Sequence, residues 1–209
     1  VKSRTSEIVS VTTGGGRNIN PVFSPDGSRL VWSHADAGSA DFSIVLAALS
    51  DPAQQRVIYQ GSGYWVPTDF SPDGKYLVLR NQKHRSDADL YLLDLVSGII
   101  TQIDSDPKPR GRSEAKFSTD GTTLYFLRDD DSEFNNLYGY VLATGEKRNF
   151  TADLEREIDT FDISPNGRLV VLSCNENGAS QLRLIRTQSG QSLPVPRLRG
   201  GVVNTIAFS

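Results

Sequence analysis

The sequence predicts an all-β fold assembled from copies of one four-stranded antiparallel module, and three observations carry that prediction. One phrase recurs along the chain: FSPDGSRLVWS from Phe23, FSPDGKYLVLR from Phe70, FSTDGTTLYFL from Phe117 and ISPNGRLVVLS from Ile163, with Phe208-Ser209 opening a fifth copy. The serines fall at 24, 71, 118, 164 and 209, in steps of 47, 47, 46 and 45 residues. A second phrase keeps the same rhythm, in Leu95-Val96-Ser97-Gly98, Leu142-Ala143-Thr144-Gly145 and Thr187-Gln188-Ser189-Gly190. Helical periodicity is absent, while short β-rich runs bounded by turn residues are frequent.

Each element of the module follows from local chemistry. In Ser-Pro-Asp-Gly, Pro presets the first central φ of a type I turn, Asp suits the second, and Gly takes the positive φ that follows. The repeated Asp26, Asp73, Asp120 and Asn166 are therefore expected to be turn residues, since Asn replaces Asp without needing a charge. Thr119 stands where the other copies have Pro, which should loosen the third turn by about 0.4–1 kcal/mol. After each turn comes a nearly continuous apolar run, at 30–32, 76–79, 124–127 and 169–172, as expected of a strand covered on both faces. A third strand is expected at 44–46, 90–93, 137–141 and 182–185. The Ser-Gly or Thr-Gly pair then turns the chain into a more polar fourth strand, such as 146–150.

Four strands per repeat, with the same turn phrase every fourth strand, fit a β-propeller blade and not a β-sandwich. The expected blades are 17–60, 63–104, 111–151 and 157–195, in a single partial-propeller domain over 1–209. The segments 7–12 and 202–209 are read as strands of flanking blades. Such an arc leaves edge strands open, so self-association through them is expected. The chain has no Met, even at position 1, so it is expected to be a processed or excised piece.

Chain direction sorts the connections. If the first strand precedes the Ser-Pro-Asp-Gly turn, all short turns share one face of the disc. The irregular loops at 14–18, 34–40, 61–65, 82–87, 106–112, 129–133, 152–157 and 175–178 gather on the other, which is the expected binding face. The candidate residues there are His34, Tyr64, Trp65, His84, Arg110, Arg112, Asp131 and Glu133. His34 and His84 lie in corresponding loops of successive blades, but two histidines without a third ligand make a weak metal site. Tyr64 and Trp65 precede an inner strand and either line the channel mouth or anchor the core. Lys108, Arg110 and Arg112 form a short basic stretch without interleaved aromatics, and Asp129, Asp130, Asp131 and Glu133 lack the spacing of a calcium loop.

Composition excludes several classes. With 22 basic and 25 acidic side chains the net charge is −3, so no bulk attraction to nucleic acid or anionic membrane is expected. No apolar run approaches the roughly 18 residues of a membrane helix. Gly14-Gly15-Gly16 has neither the helix nor the Lys of a phosphate loop. Gly178-Ala179-Ser180-Gln181-Leu182 lacks the last Gly of a nucleophile elbow, so no catalytic, cofactor or metal residue is assigned.

The four turn phrases, each followed by a β-rich strand, resemble the repeats of TolB-like proteins and of the N-terminal propeller of bacterial prolyl oligopeptidase family serine peptidases. The third blade, RDDDSEFNNLYGYVLATGEKRNFT from Arg128 to Thr151, resembles the peptidase group more closely. It departs from that pattern at Val141, where an Asp is common, and the first blade carries Ser50-Asp51-Pro52 in place of a Thr-Gly turn. The resemblance implies a seven-bladed ring joined to an α/β-hydrolase domain bearing a Ser-Asp-His triad, with the propeller restricting access to short peptides. None of the triad maps onto this chain. The implied partners are that hydrolase domain and a peptide or protein at the irregular face. A TolB-like interaction scaffold is the alternative. Bacterial cytoplasm and periplasm both fit, the cytoplasm slightly better.

Overall fold

A computed structural model gives the structure and describes residues 10–12, 15–84, 87–105, 108, 110–129, 133–195, 198 and 200–208. The described residues contain no helix and form four four-stranded antiparallel sheets. The first comprises β1 (Arg17–Phe23), β2 (Arg29–Ala35), β3 (Ser43–Ala48) and β4 (Asp51–Gln60). The second comprises β5 (Tyr64–Phe70), β6 (Tyr76–His84), β7 (Asp87–Asp94) and β8 (Ile100–Ile103). The third comprises β9 (Arg112–Phe117), β10 (Thr123–Asp129), β11 (Asn135–Val141) and β12 (Lys147–Asn149). The fourth comprises β13 (Ile158–Ile163), β14 (Leu169–Glu176), β15 (Ala179–Arg186) and β16 (Ser192–Leu193). Within each sheet the strands pair in chain order, as in a propeller blade. First strands neighbour one another, β1 against β5 and β5 against β9, whereas the fourth strands β4 and β12 are mostly exposed. The blades therefore radiate from their first strands.

The core lies between blades. Val31, Ile44 and Leu46 of the first blade pack with Trp65, Phe70, Leu77, Leu79 and Leu93 of the second. Val78, Leu90 and Ile103 of the second pack with Ala115, Phe117, Leu124 and Phe126 of the third. Tyr125, Leu127 and Leu137 of the third pack with Phe161, Val170, Leu172 and Ile185 of the fourth. Successive side chains of a strand point to opposite faces, so Leu77 and Leu79 serve one interblade core and Val78 the next. That division explains the unbroken apolar runs. Each fully buried leucine or phenylalanine contributes about 1.5–3 kcal/mol.

The turn phrase is a hydroxyl clasp. In each copy the Gly N–H donates to the Ser carbonyl at 2.8 Å, and Gly27, Gly74, Gly121 and Gly167 take φ of 67, 67, 72 and 67°. The serine hydroxyl donates to the turn carboxylate, from Ser24 to Asp26, Ser71 to Asp73 and Ser118 to Asp120, each at 2.6 Å, and in the fourth copy from Ser164 to the amide oxygen of Asn166 at 2.8 Å. That hydroxyl also accepts a backbone N–H five residues on, from Arg29, Tyr76, Thr123 and Leu169, each at 2.9 Å. These bonds hold the carboxyls of Asp26, Asp73 and Asp120 below the usual carboxylate range. Pro72 lies 3.3 Å from where a Cβ on Gly121 would stand, and Thr119 has the same relation to Gly167 at 3.1 Å. Thr119→Pro thus restores the geometry of the second turn, and urea unfolding should show a gain of about 0.4–1 kcal/mol.

Backbone bonds sort the loops onto two faces. The turn after each third strand is tied to the Ser-Pro-Asp-Gly turn of its own blade, Leu49 N to Ser28 O, Leu95 N to Lys75 O, Leu142 N to Thr122 O and Thr187 N to Arg168 O, at 2.8–3.1 Å. The loops between second and third strands are tied instead to the interblade connections, with Phe42 N donating to Gly63 O at 2.9 Å and Ala88 N to Arg110 O at 2.8 Å.

The chain ends differ from expectation. Residues 7–9 lie outside the described residues, and 10–12 and 202–208 carry no strand. A strand is defined by its ladder, and among the described residues 202–208 pair with no second strand. The path is nevertheless that of an inner strand. Ser180 N donates to Gly201 O at 2.8 Å, as Phe42 N does to Gly63 O. Phe208 N donates to Asp162 Oδ2 at 2.9 Å, as Phe117 N does to Asp69 Oδ2 at 2.8 Å. The buried hydroxyl of Ser173 has no hydrogen-bond partner among the described residues, whereas Ser33, ten residues past its own turn phrase like Ser173, donates to Trp65 O at 2.8 Å.

Candidate binding face

The irregular face gathers only some of the residues expected there. His34 sits at the end of β2, its Nδ1 2.8 Å from Asn18 Oδ1 and its Nε2 3.4 Å from Asp36. Tyr64 is half-buried and packs on Phe42 with ring centroids 4.7 Å apart. His84 and Glu133 are exposed. Asp131 lies outside the described residues. Among the described residues no three His, Cys, Asp or Glu side chains converge as metal ligands.

Of the two readings of Trp65, at the channel mouth or in the core, the structure has the core, and the two arginines are corrections to the surface reading. Trp65 is 4% exposed, wedged between Tyr59 and Tyr91 at 4.5 and 4.9 Å, with its Nε1 donating to Ser62 O at 2.9 Å. It anchors the first interblade core because β5 is covered by Val31, Ile44 and Leu46 of the first blade. Arg110 is 7% exposed and Arg112 2%.

Arg112 is the centre of an ionic cluster between the second and third blades. Its Nη2 donates to Asp104 O at 2.8 Å and its Nη1 to Ala88 O at 2.9 Å, with Asp104 Oδ2 and Asp89 Oδ1 each 3.5 Å away. Asp104, its side chain 1% exposed, also pairs with Arg128 and with Lys147 Nζ. Asp89 pairs with Lys83 at 2.5 Å. Arg112 begins β9, and the alternation of that strand turns it inward. In the sequence it reads as a loop residue, because the preceding Lys-Pro-Arg-Gly string is turn-like. The interior position follows only once Asp104 is seen to face it.

What does open on this face is a cavity of about 560 Å³ lined by Arg17, Ile19, Gly38, Ser39, Ala40, Phe42 and Tyr64. The Arg17 guanidinium lies 4.7 Å above the Phe42 ring, and its Nη2 donates to Ser39 O at 2.6 Å. Tyr64 Oη accepts from Asn20 Nδ2 at 3.0 Å. Asn20 has φ of 56° in a bulge of β1 between Ile19 and Val22, the device that turns it toward the next blade. Neither Arg17 nor Phe42 stands out in the sequence, since a lone Arg beside a Gly run and a lone Phe before a strand have ordinary surface and core readings. A second cavity of about 400 Å³ is lined by Phe134, Glu155, Arg156, Glu157 and residues 175–177. There Arg156 pairs with Glu176 at 2.7 Å, and Glu157 accepts from Asn135 N at 3.1 Å.

Comparison with known proteins sets this geometry in a family, because the model of the TolB beta propeller domain matches residues 1–205. The chain belongs to that family. This TolB-type propeller is 26% identical over 181 residues to dipeptidyl aminopeptidase BIII of Pseudoxanthomonas mexicana, covering 79% of this chain and 26% of that protein. It therefore spans about a quarter of the length of that relative. Its fold superposes on TolB from Acinetobacter baumannii with a TM-score of 0.69 at 19% identity, over 87% of this chain and 44% of TolB. It superposes on prolyl oligopeptidase B from Galerina marginata with a TM-score of 0.68 at 17% identity, over 85% of this chain and 26% of that one.

Proposed function

We propose that this propeller is a non-catalytic domain of a prolyl-oligopeptidase-type serine peptidase, restricting which peptides reach a separate α/β-hydrolase domain of the same parent chain. The observation that carries the reading is the 26% identity to a dipeptidyl aminopeptidase across 79% of the chain. The single-domain arc of radial blades, with one face of short clasped turns and one of irregular loops, supports it physically. Clasped turns present a stiff, regular rim. The irregular face offers one cavity, lined by Ile19, Ala40 and Phe42 with Arg17 and Tyr64, that sets a few polar groups on apolar walls, the usual character of a surface that contacts small ligands. A propeller in front of a reaction chamber discriminates by passage, so selectivity for short substrates arises without any catalytic residue in the propeller itself.

The experiment uses the complete gene product. Chromogenic dipeptides should be hydrolysed while long peptides and folded proteins are spared, and the 209-residue chain alone should hydrolyse none of them. Equal cleavage of long and short substrates contradicts the access role. The similarity to TolB favours a second reading, an interaction scaffold. Its signature is a stable protein partner captured by the complete product together with no peptide hydrolysis.

A further inference from the structure

We infer that the cavity between the first two blades is a subsite for the C-terminal carboxylate of a short peptide ending in an apolar residue. This rests on the irregular loops forming the peptide-contacting face. The walls divide by chemistry. Ile19, Ala40 and the Phe42 ring are apolar, while Arg17 and Tyr64 stand at the same cavity with polar atoms. Arg17 is exposed, and among the described residues no carboxylate lies within ion-pair distance of it. One of its N–H groups is spent on Ser39 O and its plane is held over Phe42. The other N–H groups remain as donors in a fixed fork, a geometry that matches a carboxylate. Tyr64 Oη already accepts from Asn20, so its own proton is left to donate. Two donors of this kind suit the two oxygens of one carboxylate, and the Phe42 and Ile19 surfaces take the side chain beside it.

Local charge agrees. The carboxylates of the loop 36–41 are engaged elsewhere: Asp41 Oδ1 accepts from Gly63 N at 2.6 Å, and Asp36 faces His34. The arrangement is held by backbone features, because the Asn20 bulge fixes the Tyr64 hydroxyl and the Phe42 N–H is tied to Gly63 O. It needs little reorganisation to receive a ligand.

The test titrates the full chain, by NMR, with N-acetyl-Ala-Phe as the free acid and as its amide. The acid should shift the Phe42 and Tyr64 resonances and bind about tenfold or more tightly than the amide, the equivalent of one charge-assisted hydrogen bond. Arg17→Gln should remove the preference for the acid while leaving the weak binding of the amide. Tyr64→Phe, which deletes only the hydroxyl, should weaken the acid by a smaller factor and provides a second readout. Equal binding of acid and amide overturns the inference, as does unchanged acid binding by Arg17→Gln. Displacement of the acid by inorganic phosphate at equal concentration also overturns it, since the apolar wall would then contribute nothing. If the acid fails to bind while the complete gene product still hydrolyses short peptides selectively, this subsite is lost and the access role stands.

Discussion

Asp104→Asn should destabilise the chain by about 3–5 kcal/mol, the cost of leaving buried charge without its partner. Asp104 is the shared anion of Arg112, Arg128 and Lys147, and the side chains of Asp104, Arg112 and Arg128 are 1, 0 and 2% exposed. The substitution keeps the shape and removes the charge. It does not strain the backbone, since Asp104 has φ of 51° and Asn tolerates the left-handed region at least as well as Asp. For a chain of this length the melting temperature should fall by about 6–20 °C. Lys147 is 37% exposed, and Lys147→Met should cost no more than about 1 kcal/mol, as exposed pairs do. A loss below about 1 kcal/mol in Asp104→Asn would mean that solvent reaches the cluster and that the second and third blades are not packed through it.

Asp69 should make stability fall as pH rises. It lies on β5, half-buried, and accepts the Phe117 N–H of the next blade at 2.8 Å. Burial pushes its carboxyl up from 3.8 to about 6, against the opposing pull of the Phe117 N–H and of Lys116. The folded state thus holds this proton more tightly than the unfolded chain. The stabilisation is complete below about pH 4 and is lost as pH climbs through 6. A rise of about two units corresponds to at most about 3 kcal/mol. Asp26, Asp73, Asp94, Asp120 and Asp153 are shifted downward and act in the other direction, gaining stability with pH. Comparison with Asp69→Asn isolates the one group. Urea midpoints at pH 4 and pH 7 should show the variant improving relative to the parent chain by up to about 3 kcal/mol between the two. A constant difference would show that the Asp69 carboxyl is solvated.

Sequence reading reached the strands and turns because their causes are local. A Pro-Asp-Gly turn, a period of two and a repeated phrase are properties of neighbouring residues. What escaped it is what one blade does to the next. The serine of the turn phrase was visible as a repeat, yet its role as a buried clasp between Asp26 and the Arg29 N–H needs the turn in three dimensions. Trp65, expected at a channel mouth or in the core, proved to be core because the neighbouring blade supplies Tyr59. Arg112 looks like a loop cation in the sequence and is a member of a buried ionic cluster, because Asp104 and Asp89 come from the preceding blade. The inner-strand ties follow the same rule. Asp69 and Asp162 accept N–H groups from the segment one repeat on, while Lys116 at the matching place in the third blade donates to Phe161 O at 3.1 Å and to Asp162 at 2.8 Å. The binding face was legible as a side of the disc, but not as residues. Arg17 and Phe42 acquire meaning only from the bulge at Asn20 and the approach of Tyr64.

The radial packing of blades is tested most directly by following the Phe117 amide proton through a pH titration. Asp69 and Phe117 are 48 residues apart in sequence and meet only if successive first strands lie side by side about one axis. The amide should report an inflection near pH 6, absent in Asp69→Asn. An amide that titrates in the ordinary carboxylate range, or not at all, would contradict the arrangement.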